Sequence, residues 1–216
     1  MKAKLTAEFL GTAFLLMVVV GSGIMGEALA SGTEAVALLA NSLATGAGLF
    51  VLIQCLGPVS GAHFNPVVSL VENLWGRLGK GTLFAYWSMQ FAGAILGVWL
   101  AHGMFGKAIF QISQKDRSGP NLWLSEIIAT FGLLCTIDLA GRKRIETAPT
   151  SVALYIVAAY WFTSSTSFAN PAVTLARALT NTFCGVAPGG VLPFIFAQIL
   201  GGWLAFWLLG RLSASK

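Results

Sequence analysis

Two short stretches decide the fold: FANPAVTLAR at residues 168–177 and SGAHFNPVVSL at residues 60–70. Each places an Asn-Pro pair inside a long region without charged residues. Asn is a strong helix N-cap and Pro is preferred at the first helical position, so each pair predicts the start of a helix. The apolar residues after each pair are too few to cross a bilayer, which takes about 20 residues. The sequence therefore predicts two short helices that enter a membrane without crossing it, at Asn65-Pro66-Val67 and Asn170-Pro171-Ala172.

The composition is that of a membrane protein. Of the 216 residues, 56% are hydrophobic and only 10% are charged, whereas a soluble domain has roughly 25% charged residues. The net charge of +5 therefore reports membrane topology and does not indicate a nucleic-acid partner. No nucleophile with a partnered base occurs, so an enzyme is not expected. The cysteines Cys55, Cys135 and Cys184 lack metal-ligand spacing, so neither a metal nor another cofactor is predicted.

Charged residues divide the chain into six predicted spans within one domain, residues 1–216. Two uncharged segments, 35–71 and 147–176, are long enough for a span plus one of the short helices. The other spans are predicted at 9–26, 81–106 and 121–140, and residues 178–210 hold a connection and the last span. If both termini are cytoplasmic, most Lys and Arg residues, including Arg142, Lys143 and Arg144, lie on the cytoplasmic side, as the positive-inside rule requires.

The two halves of the chain, about 1–112 and 113–216, resemble each other. AEFLGTAFLL at 7–16 aligns with SEIIATFGLL at 125–134, and FNPVVSL at 64–70 aligns with ANPAVTL at 169–175. The repeat includes the first apolar run, so we interpret that run as a retained span and not as a signal peptide. Each half has an odd number of predicted spans, so the second half is inverted relative to the first. Inverted repeats place a site near the middle of the bilayer.

Two opposed helix N-termini at that site favour the passage of neutral molecules. Each N-terminus carries about half a positive charge, so the pair opposes cations and hydronium. The oxygen of each capping Asn accepts from its own helix, and we expect its NH2 group to be free to donate to a solute. The residues alone therefore predict a pore for small uncharged solutes that form hydrogen bonds.

These residues resemble the motifs of the aquaporin and aquaglyceroporin channels, the major intrinsic protein family. The resemblance covers nearly the whole chain and includes Glu8, Glu126, Gln54 and Gly57. It implies an all-α membrane fold with six transmembrane helices, two opposed re-entrant half-helices and an inverted 3+3 repeat. It also implies a homotetramer in the lipid bilayer of the plasma (inner) membrane, with cytoplasmic termini and no cofactor. Within the family, NPAVTLAR is most similar to a bacterial subgroup associated with arsenic-resistance operons.

The chain departs from the family pattern at two positions. Val67 replaces the usual alanine of the first motif, and Val173 stands where the family usually has a selectivity-filter arginine. Carried over by offset, the resemblance implies a filter made of Thr45, Ala158, Ser167 and Val173. Such a filter would be wide and uncharged. We therefore expect aquaglyceroporin-like conduction of polyols such as glycerol, of metalloid hydroxides such as arsenite and methylated arsenicals, and of some water.

Several residues have two interpretations. Arg177 lies one helical turn beyond Val173, where it either replaces the filter charge in the outer vestibule or anchors the helix at the membrane interface. Glu8 and Glu126 either accept hydrogen bonds from backbone N–H groups near the half-helices or carry protons. His63 is either a packed, hydrogen-bonded residue or a pH gate.

Two other functions remain open at this point. A water-selective aquaporin requires His and Arg in its filter, and neither residue is present at the four filter positions implied by the resemblance. A proton-coupled transporter would use Glu8 or Glu126 and would show saturable flux that depends on a proton gradient.

Overall fold

The computed structural model describes residues 1–143 and 145–214, so Arg144 and the last two residues lie outside the described part. In these residues the chain is helical, with one short 3-10 helix at Ile145–Thr147. The α-helices are α1 Lys2–Leu29, α2 Glu34–Ser60, α3 Pro66–Leu74, α4 Lys80–Met104, α5 Pro120–Lys143, α6 Ala148–Phe162, α7 Pro171–Arg177 and α8 Pro188–Ala214.

Five of these helices, α1, α2, α4, α5 and α8, are long and apolar enough to cross a membrane. The predicted fifth span is the shorter helix α6, with 15 residues. At 1.5 Å per residue it covers about 22 Å, less than the hydrocarbon core of roughly 30 Å. The helices also extend beyond the predicted spans, because a charged residue does not end a helix: α1 includes Lys2, Lys4 and Glu8.

The half-helices α3 and α7 begin where the sequence predicts. Asn65 is the N-cap of α3 and Asn170 is the N-cap of α7, each with extended backbone and each followed by proline at the first helical position. The two half-helices span nine and seven residues. Neither can cross a bilayer, and each is preceded by a non-helical segment.

The two halves of the chain pack in the same way. Helix α1 packs against α2 and α4, α5 packs against α6 and α8, and α2 meets α6 across the halves. Glycine permits the closest approaches: a Cβ at Gly93 of α4 would lie 2.3 Å from the Phe9 carbonyl oxygen of α1, and a Cβ at Gly201 of α8 would lie 2.4 Å from the Ile127 carbonyl oxygen of α5. These equivalent contacts bring the backbones together as small residues do in membrane helices.

Candidate pore and its mouths

The asparagine caps join the two half-helices to each other. Oδ1 of Asn65 accepts from the Val67 N–H at 3.0 Å, and Oδ1 of Asn170 accepts from the Ala172 N–H at 2.9 Å. Nδ2 of Asn65 donates to the Ala169 carbonyl at 2.7 Å, and Nδ2 of Asn170 donates to the Phe64 carbonyl at 2.8 Å. Each amide therefore caps its own half-helix and holds the loop before the other.

These bonds correct the prediction that both NH2 groups are free. An amide NH2 has two hydrogens, and one hydrogen of each group is used in the bond to the opposite loop. One donor per asparagine is left for a solute.

A buried carboxylate holds the loop before each half-helix. Glu8 accepts from the backbone N–H groups of His63 at 3.0 Å and Phe64 at 2.8 Å. Glu126 accepts from those of Phe168 at 2.9 Å and Ala169 at 2.8 Å. Both carboxyl groups are completely buried. The arrangement agrees with the interpretation that these carboxylates accept hydrogen bonds from backbone N–H groups near the half-helices.

The carboxylates are needed because both loops have unfavourable backbone conformations. Ala62 and Phe64 have φ of 50° and 47°, and the equivalent Ser167 and Ala169 have φ of 52° and 48°. Left-handed φ at a residue other than glycine costs on the order of 1–3 kcal/mol and persists only where the surroundings impose it. The hydrogen bonds to Glu8 and Glu126 impose it here.

In each half of the chain, a glutamine donates to the buried carboxylate and to a hydroxyl group of the half-helix. Nε2 of Gln90 donates to Glu8 and to Ser69 Oγ, and Nε2 of Gln198 donates to Glu126 and to Thr174 Oγ1. The internal repeat therefore extends to individual hydrogen bonds. These bonds hold α3 against α4 and α7 against α8.

A cavity of about 300 Å³ passes between the capping asparagines. At one end it is lined by Glu72, Gly141 and Ala148, and at the other by Thr45, Tyr160 and Arg177. Asn65 and Asn170 line its middle, whereas Glu8 and Glu126 are not among the lining residues. We call it the central cavity. It lies along the half-helices, where the sequence predicts a pore.

The comparisons with known proteins agree with this geometry. A family model described as Major intrinsic protein matches residues 1–166. The chain belongs to the major intrinsic protein family.

Relatives within the major intrinsic proteins include Aquaglyceroporin AqpS of Rhizobium meliloti (strain 1021), which is 54% identical over 210 residues, or 95% of this chain and 90% of the relative. Aquaporin NIP2-2 of Zea mays is 31% identical over 193 residues, or 85% of this chain and 64% of the relative. The X-ray structure of the aquaglyceroporin from Plasmodium falciparum matches with a TM-score of 0.75 at 18% identity, covering 100% of this chain and 99% of that one. The predicted aquaporin-like fold is confirmed.

Three of the four filter residues carried over from the major intrinsic protein pattern line the central cavity: Thr45, Ser167 and Val173. The prediction for Ala158 is wrong, because this residue is exposed on the outer face of α6. Tyr160 lines the cavity instead, and its hydroxyl lies 3.2 Å from Thr45 Oγ1. Two residues along a helix correspond to a rotation of about 200°, which puts Ala158 on the opposite face from Tyr160.

The filter region offers hydroxyl groups on an otherwise apolar wall. Ser167 Oγ is buried in the cavity wall and has no hydrogen-bond partner among the described residues. Val173 is 5% exposed and contributes only methyl groups. A solute hydroxyl at this level meets Ser167, Thr45 and Tyr160, and the charged Arg177 lines the same end of the cavity.

Arg177 also lines the central cavity and is 2% exposed. Its Nε donates to the Cys184 carbonyl, and its guanidinium carbon lies 3.4 Å from the centre of the Phe168 ring. The interfacial-anchor interpretation is therefore wrong, because the side chain is enclosed by protein and does not extend to lipid headgroups.

His63 combines packing with a place in the cavity wall. Its Nδ1 lies 2.9 Å from Ser69 Oγ, and its ring packs edge-on against Tyr86 with 5.3 Å between centroids. It is half-buried and lines the central cavity. These contacts agree with a packed, hydrogen-bonded histidine.

Val67 does not line the central cavity but packs against α8. A Cβ at Gly202 would lie 2.5 Å from Val67 Cγ1. In the other half, the equivalent residues are Ala172 and Ala94, which are both fully buried in one cluster. A valine opposite a glycine therefore replaces an alanine opposite an alanine, and the added bulk of the first motif is accommodated without narrowing the pore.

A charged cluster that the sequence did not predict stands near one mouth. Glu72 lines the central cavity and pairs with Arg77 at 3.1 Å. Arg77 also pairs with the buried Asp138 at 3.0 Å, and Arg142 pairs with Asp138 at 2.6 Å. These ion pairs tie the segment after α3 to the end of α5, so they fix the shape of this mouth.

Proposed function

We propose that this major intrinsic protein is a passive channel for small uncharged solutes, with a filter wide enough for polyols as well as water. The observation that carries the proposal is Val173 in the wall of the central cavity, beside the paired asparagines. Valine places no charged side chain at the position of the family's usual filter arginine and leaves the constriction open. The solute class then comprises glycerol and similar polyols, together with neutral metalloid hydroxides such as arsenite and methylated arsenicals.

The solute path alternates hydrogen-bonding groups with apolar wall. Asn65 and Asn170 each retain one amide hydrogen for a passing oxygen, and Ser167 offers an unpartnered hydroxyl. Leu15, Leu49 and similar side chains line the remainder. The hydroxyl groups of a polyol can exchange their hydrogen bonds to water for hydrogen bonds to these groups. Its carbon chain then lies against the apolar part of the cavity wall. The name of the AqpS relative, an aquaglyceroporin, supports this class of solute.

The geometry favours a channel over a proton-coupled transporter. Glu8 and Glu126 already accept hydrogen bonds from backbone and glutamine donors, and neither carboxylate lines the central cavity. A proton carrier in the transport path needs contact with the path. The same hydrogen bonds account for the two buried carboxylates, because they hold the loops before the half-helices in place.

The assembly and orientation belong to the same proposal. We infer one channel domain, residues 1–216, with repeat halves of about 1–112 and 113–216, in a homotetramer in the bilayer of the plasma membrane. Both termini are cytoplasmic, because this orientation leaves most Lys and Arg on the cytoplasmic side. Large apolar side chains such as Phe14, Phe84 and Phe196 are more than half exposed, as contact with lipid or neighbouring subunits requires.

The test is solute uptake into proteoliposomes, followed by stopped-flow light scattering with glycerol as the probe. We expect glycerol flux that rises linearly with concentration, has a low activation energy and is unchanged by a proton gradient. Empty liposomes are the control. Exclusion of glycerol while water passes would favour a water-selective aquaporin, and saturation with dependence on the proton gradient would favour a transporter.

A further inference from the structure

A second arginine faces the same phenylalanine ring as Arg177. Arg117 lies in the segment between α4 and α5, and its guanidinium carbon is 5.7 Å from the centre of the Phe168 ring. The guanidinium carbon of Arg177 is 3.4 Å from the same centre. The Phe168 ring also packs edge-on against Phe194, so it is held in place. The two cations therefore share one fixed aromatic platform.

The two arginines line different cavities. Arg177 and Phe168 line the central cavity. Arg117 lines a second cavity of about 810 Å³, together with Thr33, Trp161, Thr166 and Phe183. We call this second cavity the vestibule. The vestibule arginine and the central-cavity arginine therefore face one ring, that of Phe168.

One short segment anchors both guanidinium groups. Arg117 Nε donates to the Gly185 carbonyl at 3.1 Å, and its Nη2 donates to the Phe183 carbonyl at 3.4 Å. Arg177 Nε donates to the Cys184 carbonyl between them. Carbonyl oxygens of three consecutive residues, 183–185, thus fix both side chains.

The positive charges of this pair are only partly offset by an acid, since the buried Glu126 acts on both arginines from beyond ion-pair distance. In residues 1–143 and 145–214, neither arginine lies within ion-pair distance of a carboxylate, whereas the neighbouring Lys115 pairs with Glu27 at 3.6 Å. Burial first, and then the charge of Arg177, lowers the pKa of Arg117 to about 10, so Arg117 remains charged at neutral pH. The acids of the vestibule, Glu27, Glu34 and Asp116, also line that cavity. These acids attract cations into the vestibule, so a pore that excludes cations needs an electrostatic barrier beyond them.

We propose that Arg117 is a specificity-determining residue of this pore, acting with Arg177 as a two-arginine collar around Phe168 that excludes cations. The inference rests on the proposed channel function. Two fixed positive charges repel an approaching cation, while a neutral solute meets no such barrier. Because both groups are drawn to the wall by carbonyls, the collar supplies charge without narrowing the constriction at Val173.

The test measures cation leak and glycerol flux in the same proteoliposomes. The variants are Arg117→Gln, Arg117→Met, Arg177→Gln and the double variant Arg117→Gln with Arg177→Gln. Met retains the length and packing of the side chain without its charge, so two neutral replacements are available. Arg117→Lys keeps the charge, and Lys107→Gln, an exposed residue of the same segment, is the matched control for loss of one positive charge.

We expect potassium or proton leak to rise by about tenfold in each neutral Arg117 variant, and further in the double variant, as removal of a fixed charge at close range predicts. Arg117→Lys should show the wild-type leak, and Lys107→Gln, outside the collar, should show both the wild-type leak and the wild-type glycerol flux. The proposal is overturned if both neutral Arg117 variants keep the wild-type leak while glycerol passes, or if the double variant leaks no more than Arg177→Gln. Failure of wild type to pass glycerol would instead contradict the proposed function.

Discussion

Asn65 and Asn170 each donate a side-chain hydrogen bond to the carbonyl of the residue that precedes the other, at 2.7 Å to Ala169 and 2.8 Å to Phe64. The two ends of the half-helices are thus fixed to each other through main-chain oxygens. Each asparagine caps its own half-helix and holds the loop before the other, and we propose that its second amide hydrogen serves the solute. This relationship makes the junction depend on an amide at both positions.

Asn170→Asp is expected to weaken the junction while retaining the cap of α7. The carboxylate still accepts from the Ala172 N–H, but it has no hydrogen for the Phe64 carbonyl. An unsatisfied buried acceptor costs about 1–3 kcal/mol. Thermal unfolding in detergent should therefore occur at lower temperature, and the added negative charge should raise cation leak.

Asn181→Asp is the control for that change, because Asn181 is exposed and its side-chain oxygen accepts from the Gln114 N–H. Its unfolding temperature should be close to that of wild type. If Asn170→Asp unfolds like Asn181→Asp, the cross-link does not stabilise the junction.

Glu8→Gln and Glu126→Gln are expected to destabilise the protein without revealing proton coupling. Each substitution replaces one of two acceptor oxygens with an NH2 group, which leaves a loop N–H without a partner. The loss is about 1–3 kcal/mol for each unsatisfied group. The measurement is thermal stability together with glycerol flux at imposed pH gradients. A variant that is fully stable but has lost a wild-type response to the proton gradient would restore the transporter interpretation.

Gly202→Ala is expected to destabilise the packing of α3 on α8, although alanine favours a helix by roughly 1 kcal/mol over glycine. The new Cβ would lie 2.5 Å from Val67 Cγ1. Val67→Ala in the same chain should recover most of the loss, because it recreates the alanine pair of the other half. Unfolding of the single and double variants measures the coupling, and Gly210→Ala, in open space on the same helix, is the control. Independent effects of the two substitutions would show that the bulk of Val67 is not accommodated by Gly202.

Asp138→Asn is expected to cost more stability than Glu72→Gln. The side chain of Asp138 is 1% exposed and pairs with both Arg77 and Arg142, whereas the side chain of Glu72 is 16% exposed and pairs with Arg77. Exposed pairs contribute at most about 1 kcal/mol, and loss of a buried partner costs more. Chemical denaturation in detergent can compare the two, with the exposed Asp116→Asn as control. Equal losses in Asp138→Asn and Asp116→Asn would mean that the cluster does not hold this mouth together.

The sequence was sufficient for the features that depend on local chemistry or on the repeat. Each Asn-Pro pair predicts a helix start because Asn is a strong N-cap and Pro is preferred at the first helical position, and the alignment of Glu8 with Glu126 requires no structure. The family and the fold are confirmed by the comparisons.

Features that depend on helix rotation or on distant partners could not be predicted. Helix α6 is apolar on most faces, so no periodicity fixes its rotation, and the offset that selected Ala158 missed Tyr160 by about half a turn. Gly202 meets Val67 only through the packing of α8 on α3. Arg117 lies in a connecting segment without an equivalent in the repeat, and only the carbonyls of residues 183–185 reveal its position.

The central claim is that Val173 keeps the constriction wide and uncharged. The most direct measurement is stopped-flow glycerol and water permeability of wild type and Val173→Arg in proteoliposomes, with Val173→Ile as the apolar control. An arginine at this position fills the constriction, so we expect glycerol permeability to fall by about tenfold or more relative to water, while Val173→Ile keeps the wild-type ratio. If Val173→Arg passes glycerol and water in the same ratio as wild type, position 173 does not determine the selectivity of this pore.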